Sequence, residues 1–231
     1  VELEVLADAD AVARRAAGFI AAQARAAVAV RGRFVMAVSG GHTPWQMLRL
    51  LAGEDVPWEQ VHVAQVDERA APAGDPDRNL THLRESLLAH APLPPEHIHA
   101  MAVESSDLEA AARQYARVLE SIAGTPATLD LAHLGLGPDG HTASLVPRDP
   151  VLEVKDRDVA LTTTAYQGRR RMTLTYPMLN RSRHVLWVLT GAEKAAMLPR
   201  LLAGDTAIPG GRVDQARALV LADRAAAPGQ T

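Results

Sequence analysis

Cysteine is absent from the chain, which excludes disulfides, thiolate nucleophiles and cysteine-ligated zinc. Aromatic residues make up only 3%, too few rings for the stacking platforms that hold single-stranded nucleic acid, so no nucleic-acid partner is expected. Long apolar runs are missing too. Nothing approaches the roughly 18 residues of a membrane span, and the acidic start Val1-Glu2-Leu3-Glu4 lacks the basic flank of a secretory signal. The expectation is a cytoplasmic protein without a membrane partner. Charge of one sign is scarce as well: the net charge of -3 provides no field to recruit polyanions. An anionic ligand would have to be met by local Lys, Arg and backbone N–H groups.

What the chain does contain is ordinary globular material, 48% hydrophobic and 22% charged over 231 residues. That length sits below the size at which hydrophobic cores divide, so a single domain over 1–231 is expected. Nine histidines are its natural titrating groups near neutrality.

Apolar patterning alternates between strand-like and helix-like segments. Strands are expected from Val1 to Leu6, Phe34 to Val38, Val61 to Val66, Leu129 to Leu134 and His184 to Leu189. Helical segments separate most of them. One is the Ala-rich stretch that Asp8 or Asp10 can cap; the others are Trp45 to Leu51, Leu80 to His90, the face Leu108/Ala111/Tyr115/Val118/Leu119/Ile122, and Ala192 to Leu202 closed by Gly204. Ser106-Asp-Leu-Glu109 has the spacing of a capping box. The alternation predicts an α/β fold: a mostly parallel, Rossmann-like sheet with helices on both faces and ligands at the carboxyl ends of its strands. Asp158 to Thr164 and Arg171 to Tyr176 read as consecutive strands without an intervening helix, which predicts a small antiparallel addition.

Three strand-end loops carry the chemistry. In Ser39-Gly40-Gly41-His42-Thr43-Pro44 the glycines let the backbone approach a phosphate, Ser39 and Thr43 bring hydroxyls, and the following helix aims its first N–H groups at an anion. Taken alone, the same residues also make a plain strand-to-helix turn. Asp67-Glu68-Arg69 puts an acid pair and an arginine at a strand end; buried unpaired they would be costly, and the useful pairing is Arg69 with an oxyanion or a phosphate. Gly135-Leu-Gly137-Pro-Asp139-Gly-His141 has G-x-G-x-x-G spacing. It is a poor dinucleotide loop, because Pro138 removes a donor and Pro147 and Pro150 cut short any helix behind it. What remains is an acid and an imidazole separated by one glycine, the makings of a general base. Arg171, which leads into an apolar strand, and Lys194, just inside a helix where a cation is unhelpful to the dipole, are further candidate anion ligands. On their own, both also read as solvated surface charges.

These motifs, with Gly135 to Pro147 the most specific, occur in the order and spacing of 6-phosphogluconolactonases, and the chain resembles that family over about residues 33 to 204. The resemblance implies the fold shared by glucosamine-6-phosphate deaminase and ribose-5-phosphate isomerase. It also implies hydrolysis of 6-phospho-D-glucono-1,5-lactone to 6-phosphogluconate in the oxidative pentose phosphate pathway, with no metal and no cofactor. In the mechanism that this reading suggests, His141 is the base, Asp139 its orienting acid, and Arg69 the candidate oxyanion cation or else a phosphate ligand. Ser39, Gly40, Gly41, Thr43, Asp67, Gly137, Arg171 and Lys194 are then substrate-binding residues, and the partner is a small sugar-phosphate lactone bound by a monomer or small homo-oligomer. Two departures stand out: His42 occupies a position where Ser or Thr is usual, and Asp77-Arg78-Asn79 replaces a common Ser-Asn. The competing readings are a glucosamine-6-phosphate deaminase, which would carry a further Glu after the histidine loop where this chain has Thr142-Ala-Ser-Leu-Val-Pro147, and a non-catalytic sugar-phosphate sensor.

Overall fold

Phe34, Met36 and Val38 pack into one hydrophobic cluster while Val35 and Ala37 pack into another. A strand whose two faces are both buried in this way belongs at the centre of a covered sheet. The computed structural model, which describes residues 1–229, shows that sheet to be seven-stranded.

In chain order the strands are β1 (Glu2–Leu6), β2 (Phe34–Val38), β3 (Val61–Gln65), β4 (Asp67–Arg69), β5 (Ile98–His99), β6 (Leu131–Leu134), β7 (Val159–Leu161), β8 (Arg171–Leu174), β9 (His184–Leu189) and β10 (Ala218–Asp223). The large sheet runs β1-β10-β9-β6-β2-β3-β5 with every pair parallel. From β2 the chain proceeds outward to β3 and β5; from β6, on the other side, it proceeds to β9 and β10. The crevice between β2 and β6 is therefore the switch point at which such sheets bind ligands. The antiparallel addition is a three-stranded sheet, β4-β8-β7.

The helices are α1 (Ala9–Arg31), α2 (His42–Leu51), α3 (Asn79–Leu83, continued by a π turn to Leu88), α4 (Leu108–Ala123), α5 (Tyr176–Asn180) and α6 (Leu198–Leu202). Helices α1, α2 and α3 pack on one face of the sheet; α4, α5, α6 and the small sheet cover the other. Asp8 caps α1 by accepting from the Ala11 N–H at 2.8 Å, and Gly32 closes it at φ 72°, a conformation that glycine adopts without strain. None of the helices among the described residues is long and apolar enough to cross a membrane.

Three local expectations change. The cap of α4 is Asp107, which accepts from the Ala110 N–H at 2.9 Å, so the Ser106–Glu109 box does not form. Ala192 to Leu202 is not continuous: a 3-10 turn over Ala192–Lys194 is followed by α6. Pro199 has no N–H to donate into a preceding turn and sits at the start of α6 instead. Asp67-Glu68-Arg69 does not merely end β3: the chain leaves the large sheet at Val66 and forms β4 of the small one.

The buried Glu68 explains this excursion. Its carboxylate accepts from the N–H groups of Arg69, Asn79 and Leu80, each at 2.8 Å, and from the Gln65 side chain at 2.8 Å. The Arg78 Nε lies 3.2 Å away. One acid thereby caps α3 from a distance and neutralises a buried arginine, so both Glu68 and Arg78 are structural.

Candidate active site

Gly140, at φ 82°, turns the chain back after β6, and the Gly137 N–H donates to the His141 carbonyl at 2.8 Å. This tight loop lays the imidazole against Gly137, where a Cβ would sit 2.0 Å from His141 Nδ1. Gly137 is therefore required by close packing rather than by its φ. His141 Nδ1 lies 2.6 Å from Asp139 Oδ1, and the His141 N–H donates to the same oxygen at 3.1 Å. Partial burial opposes ionisation of Asp139, but the hydrogen bonds from the His141 side chain and backbone and from Tyr166 outweigh it and hold the carboxyl below its usual range. An ionised Asp139 fixes the Nδ1–H tautomer and leaves Nε2 free to accept a proton. No α-helix follows Gly140; the segment forms turns up to the short 3-10 helix Pro150–Glu153.

The small sheet brings in two cations. Its antiparallel register sets Arg69 directly opposite Arg171, a like-charge pairing that is destabilising on its own. Burial and then the neighbouring Arg69 charge lower the pKa of Arg171. The Nε atoms of both arginines are buried and without a protein hydrogen-bond partner. The remaining contacts hold the pair in place: Arg69 Nη1 donates to the Asp77 carbonyl at 2.5 Å, and Arg171 Nη2 donates to Gln167 Oε1 at 2.9 Å. A buried guanidinium (Arg171) beside a half-buried one (Arg69), each with a spare Nε donor, is suited to an anion.

The loop after β2 faces the same space. Gly41, at φ 136°, precedes α2, and no side chain caps that helix, so its first N–H groups point outward without a partner in the helix. A Cβ on Gly40 would lie 2.2 Å from Asn79 Oδ1, so glycine is needed there for space. The hydroxyls of Ser39 and Thr43 both also have a partner within the protein. Ser39 Oγ donates its proton to the His133 carbonyl at 3.0 Å, and Thr43 Oγ1 shares a hydrogen with Thr190 Oγ1 at 2.7 Å. Lys194 arrives from the 3-10 turn, with Nζ 3.7 Å from the Glu193 carboxylate.

All of these loops border one pocket of about 370 Å³, a volume suited to a small metabolite. Ser39, Gly40, Gly41 and Thr43 line it on one side, Gly137 and His141 on another, and Asp67, Arg69, Arg171 and Lys194 close the rest. Asp139 touches it through His141. The wall also includes Asn79, Gln167 and Thr190, which the sequence reading passed over. Of these only Asn79 had a sequence signal, its place in Asp77-Arg78-Asn79. Asp67 forms part of the wall, yet its carboxylate is already engaged by Ser144 Oγ at 2.6 Å and, more loosely, by Asn79 Nδ2 at 3.4 Å.

Residues 7–221 match the family model of glucosamine-6-phosphate isomerases and 6-phosphogluconolactonases. The chain belongs to this family. Among its curated members, a 6-phosphogluconolactonase of Mycobacterium tuberculosis is 36% identical over 97% of this chain and 96% of that protein. One from Synechocystis is 36% identical over 87% of this chain and 85% of that protein. The crystal structure of 6-phosphogluconolactonase from Thermotoga maritima superposes with a TM-score of 0.85 at 28% identity, covering 96% of this chain and 98% of that one. A monomeric glucosamine-6-phosphate deaminase reaches the same TM-score of 0.85 at 19% identity, covering 98% of each chain, which shows that both branches of the family share the fold.

Proposed function

We propose that the chain is a 6-phosphogluconolactonase: it hydrolyses 6-phospho-D-glucono-1,5-lactone to 6-phospho-D-gluconate with His141 as general base. The observation that carries the proposal is the meeting, in one pocket, of an Asp-oriented imidazole with the Arg69–Arg171 pair. The names of the curated relatives support the same substrate.

In the proposed reaction His141 Nε2 takes a proton from water as the water oxygen bonds to the lactone carbonyl carbon. Asp139 stabilises the imidazolium, and Arg69 faces the carbonyl oxygen as it becomes an oxyanion. When the tetrahedral adduct collapses, the bond to the ring oxygen breaks and that oxygen recovers the proton from His141. The 6-phosphate lies against the N-terminus of α2, Arg171 and Lys194 and acts as a handle. Ser39, with its proton committed to His133, shapes this loop through the backbone. Every group invoked comes from one chain, so a monomer can carry out the reaction.

The decisive experiment is a lactone-hydrolysis assay of the purified protein, corrected for spontaneous opening, with glucosamine 6-phosphate in parallel. Enzymatic lactone opening without ammonia release is expected. Ammonia release would make the chain a deaminase, and tight binding of the sugar phosphate with no turnover would make it a sensor.

A further inference from the structure

Tyr166 lies in a hairpin turn between β7 and β8 that is closed by reciprocal backbone hydrogen bonds with Arg169, at 2.9 and 3.3 Å. The two central residues, Gln167 and Gly168, have φ 52° and 79°, the left-handed geometry of the tight turns that suit strand twist. Such a backbone is strained for a glutamine, and strain of this kind collects at functional sites. The turn carries Tyr166 and Gln167 to the edge of the pocket. Tyr166 Oη donates to Asp139 Oδ2 at 3.0 Å and lies 3.3 Å from His141 Nδ1. The Arg171 guanidinium sits over its ring, 4.9 Å from the centroid, and the imidazole meets the ring edge-on at 5.2 Å.

From this geometry we infer that Tyr166 is a positioning residue for hydrolysis, joining the Asp139–His141 base to the Arg171 anion site through one side chain. The inference rests on the proposed function for its kinetic readout. The hydroxyl occupies the carboxylate oxygen that His141 leaves free, so Asp139 cannot rotate away from Nδ1. Partial burial, reinforced by Asp139, raises the pKa of the phenol and keeps its proton available for donation. The ring does separate work, giving Arg171 a face to rest on that is independent of the hydroxyl.

Hydroxyl and ring can be tested apart. Tyr166→Phe keeps the ring, so kcat is expected to fall about five- to thirtyfold with KM nearly unchanged. Tyr166→Ala also releases Arg171, so KM for the phosphorylated lactone is expected to rise in addition. In an Asp139→Asn background Tyr166→Phe should have little further effect, because a residue acting through Asp139 cannot be lost twice. A merely structural tyrosine would give the same factor in both backgrounds, and that result, or a kcat for Tyr166→Phe equal to wild type, overturns the inference. An NMR readout of the proton on His141 Nδ1 is independent of turnover. It should shift in Tyr166→Phe even if the protein proves inactive on the lactone, and an unmoved resonance in a folded variant also overturns the inference.

Discussion

The Ser144 hydroxyl donates to Asp67 Oδ2 across 2.6 Å, tying the loop after β6 to the first residue of β4. Both groups are buried, and the bond fixes the histidine loop against the sheet that carries Arg69 and Arg171. Ser144→Ala leaves a buried carboxylate oxygen without its best donor. Stability should drop by about 1.5 to 3 kcal/mol in urea titrations, with a loss of turnover as the two halves of the pocket loosen. Unchanged stability would show that the Ser144–Asp67 contact carries no weight.

His141→Ala removes the proposed base and is expected to lower kcat by about two to four orders of magnitude. Gly137→Ala is expected to approach that loss with every catalytic group still present, since its Cβ would occupy the space of the imidazole, 2.0 Å from Nδ1. Steady-state kinetics at saturating lactone checks both. A Gly137→Ala enzyme with normal kcat would mean that the imidazole works from another position.

Lys194→Ala tests gripping apart from chemistry. A group that holds only the remote phosphate binds ground state and transition state alike, so KM should rise more than kcat falls. The specificity constant should drop about ten- to a hundredfold, the worth of one charge-assisted hydrogen bond. Unphosphorylated gluconolactone is the control, on which variant and wild type should match. An equal loss on both lactones would place Lys194 at the carbonyl.

His133 makes the fold acid-sensitive. It is fully buried, its Nδ1 accepts the Ser39 N–H at 3.2 Å, and its Nε2 has no partner. Burial lowers its pKa from 6.5 to about 4. Below pH 6.5 the unfolded chain therefore binds a proton that the folded chain refuses, and stability falls with pH until about 4. Between pH 7 and 5 the loss from this residue is about 2 kcal/mol. His62, also lowered to about 4 by burial and by His97, His99 and Arg33, adds to the same trend. His133→Asn keeps an acceptor for Ser39 and should flatten the wild-type pH dependence by His133's share. Parallel urea curves at the two pH values decide it.

The strand-helix alternation, the three strand-end loops and the Asp139–His141 pair were all legible from local sequence, because periodicity, glycine spacing and turn chemistry act over a few residues. The last strand, β10, was overlooked. Ala218–Asp223 is a short apolar run, all six residues buried, and a run without alternation reads equally as strand or buried helix until neighbouring strands pair with it. The capping box failed for a related reason: Asp107 and Ser106 are both good caps, and only the path of the chain chose between them.

What the sequence determined was which side chains stand at the ends of β2 and β6. Tertiary structure decided which atoms of those side chains remain available. Hydrogen-bond capacity is spent across long separations: Ser39 gives its proton to His133, Asp67 receives one from Ser144, and Glu68 is consumed by α3. The facing of Arg69 and Arg171, and the arrival of Tyr166 at Asp139, depend on strand register and on one strained turn. Neither leaves a local trace, because register is set by how whole strands bury their faces and not by the residues that happen to meet.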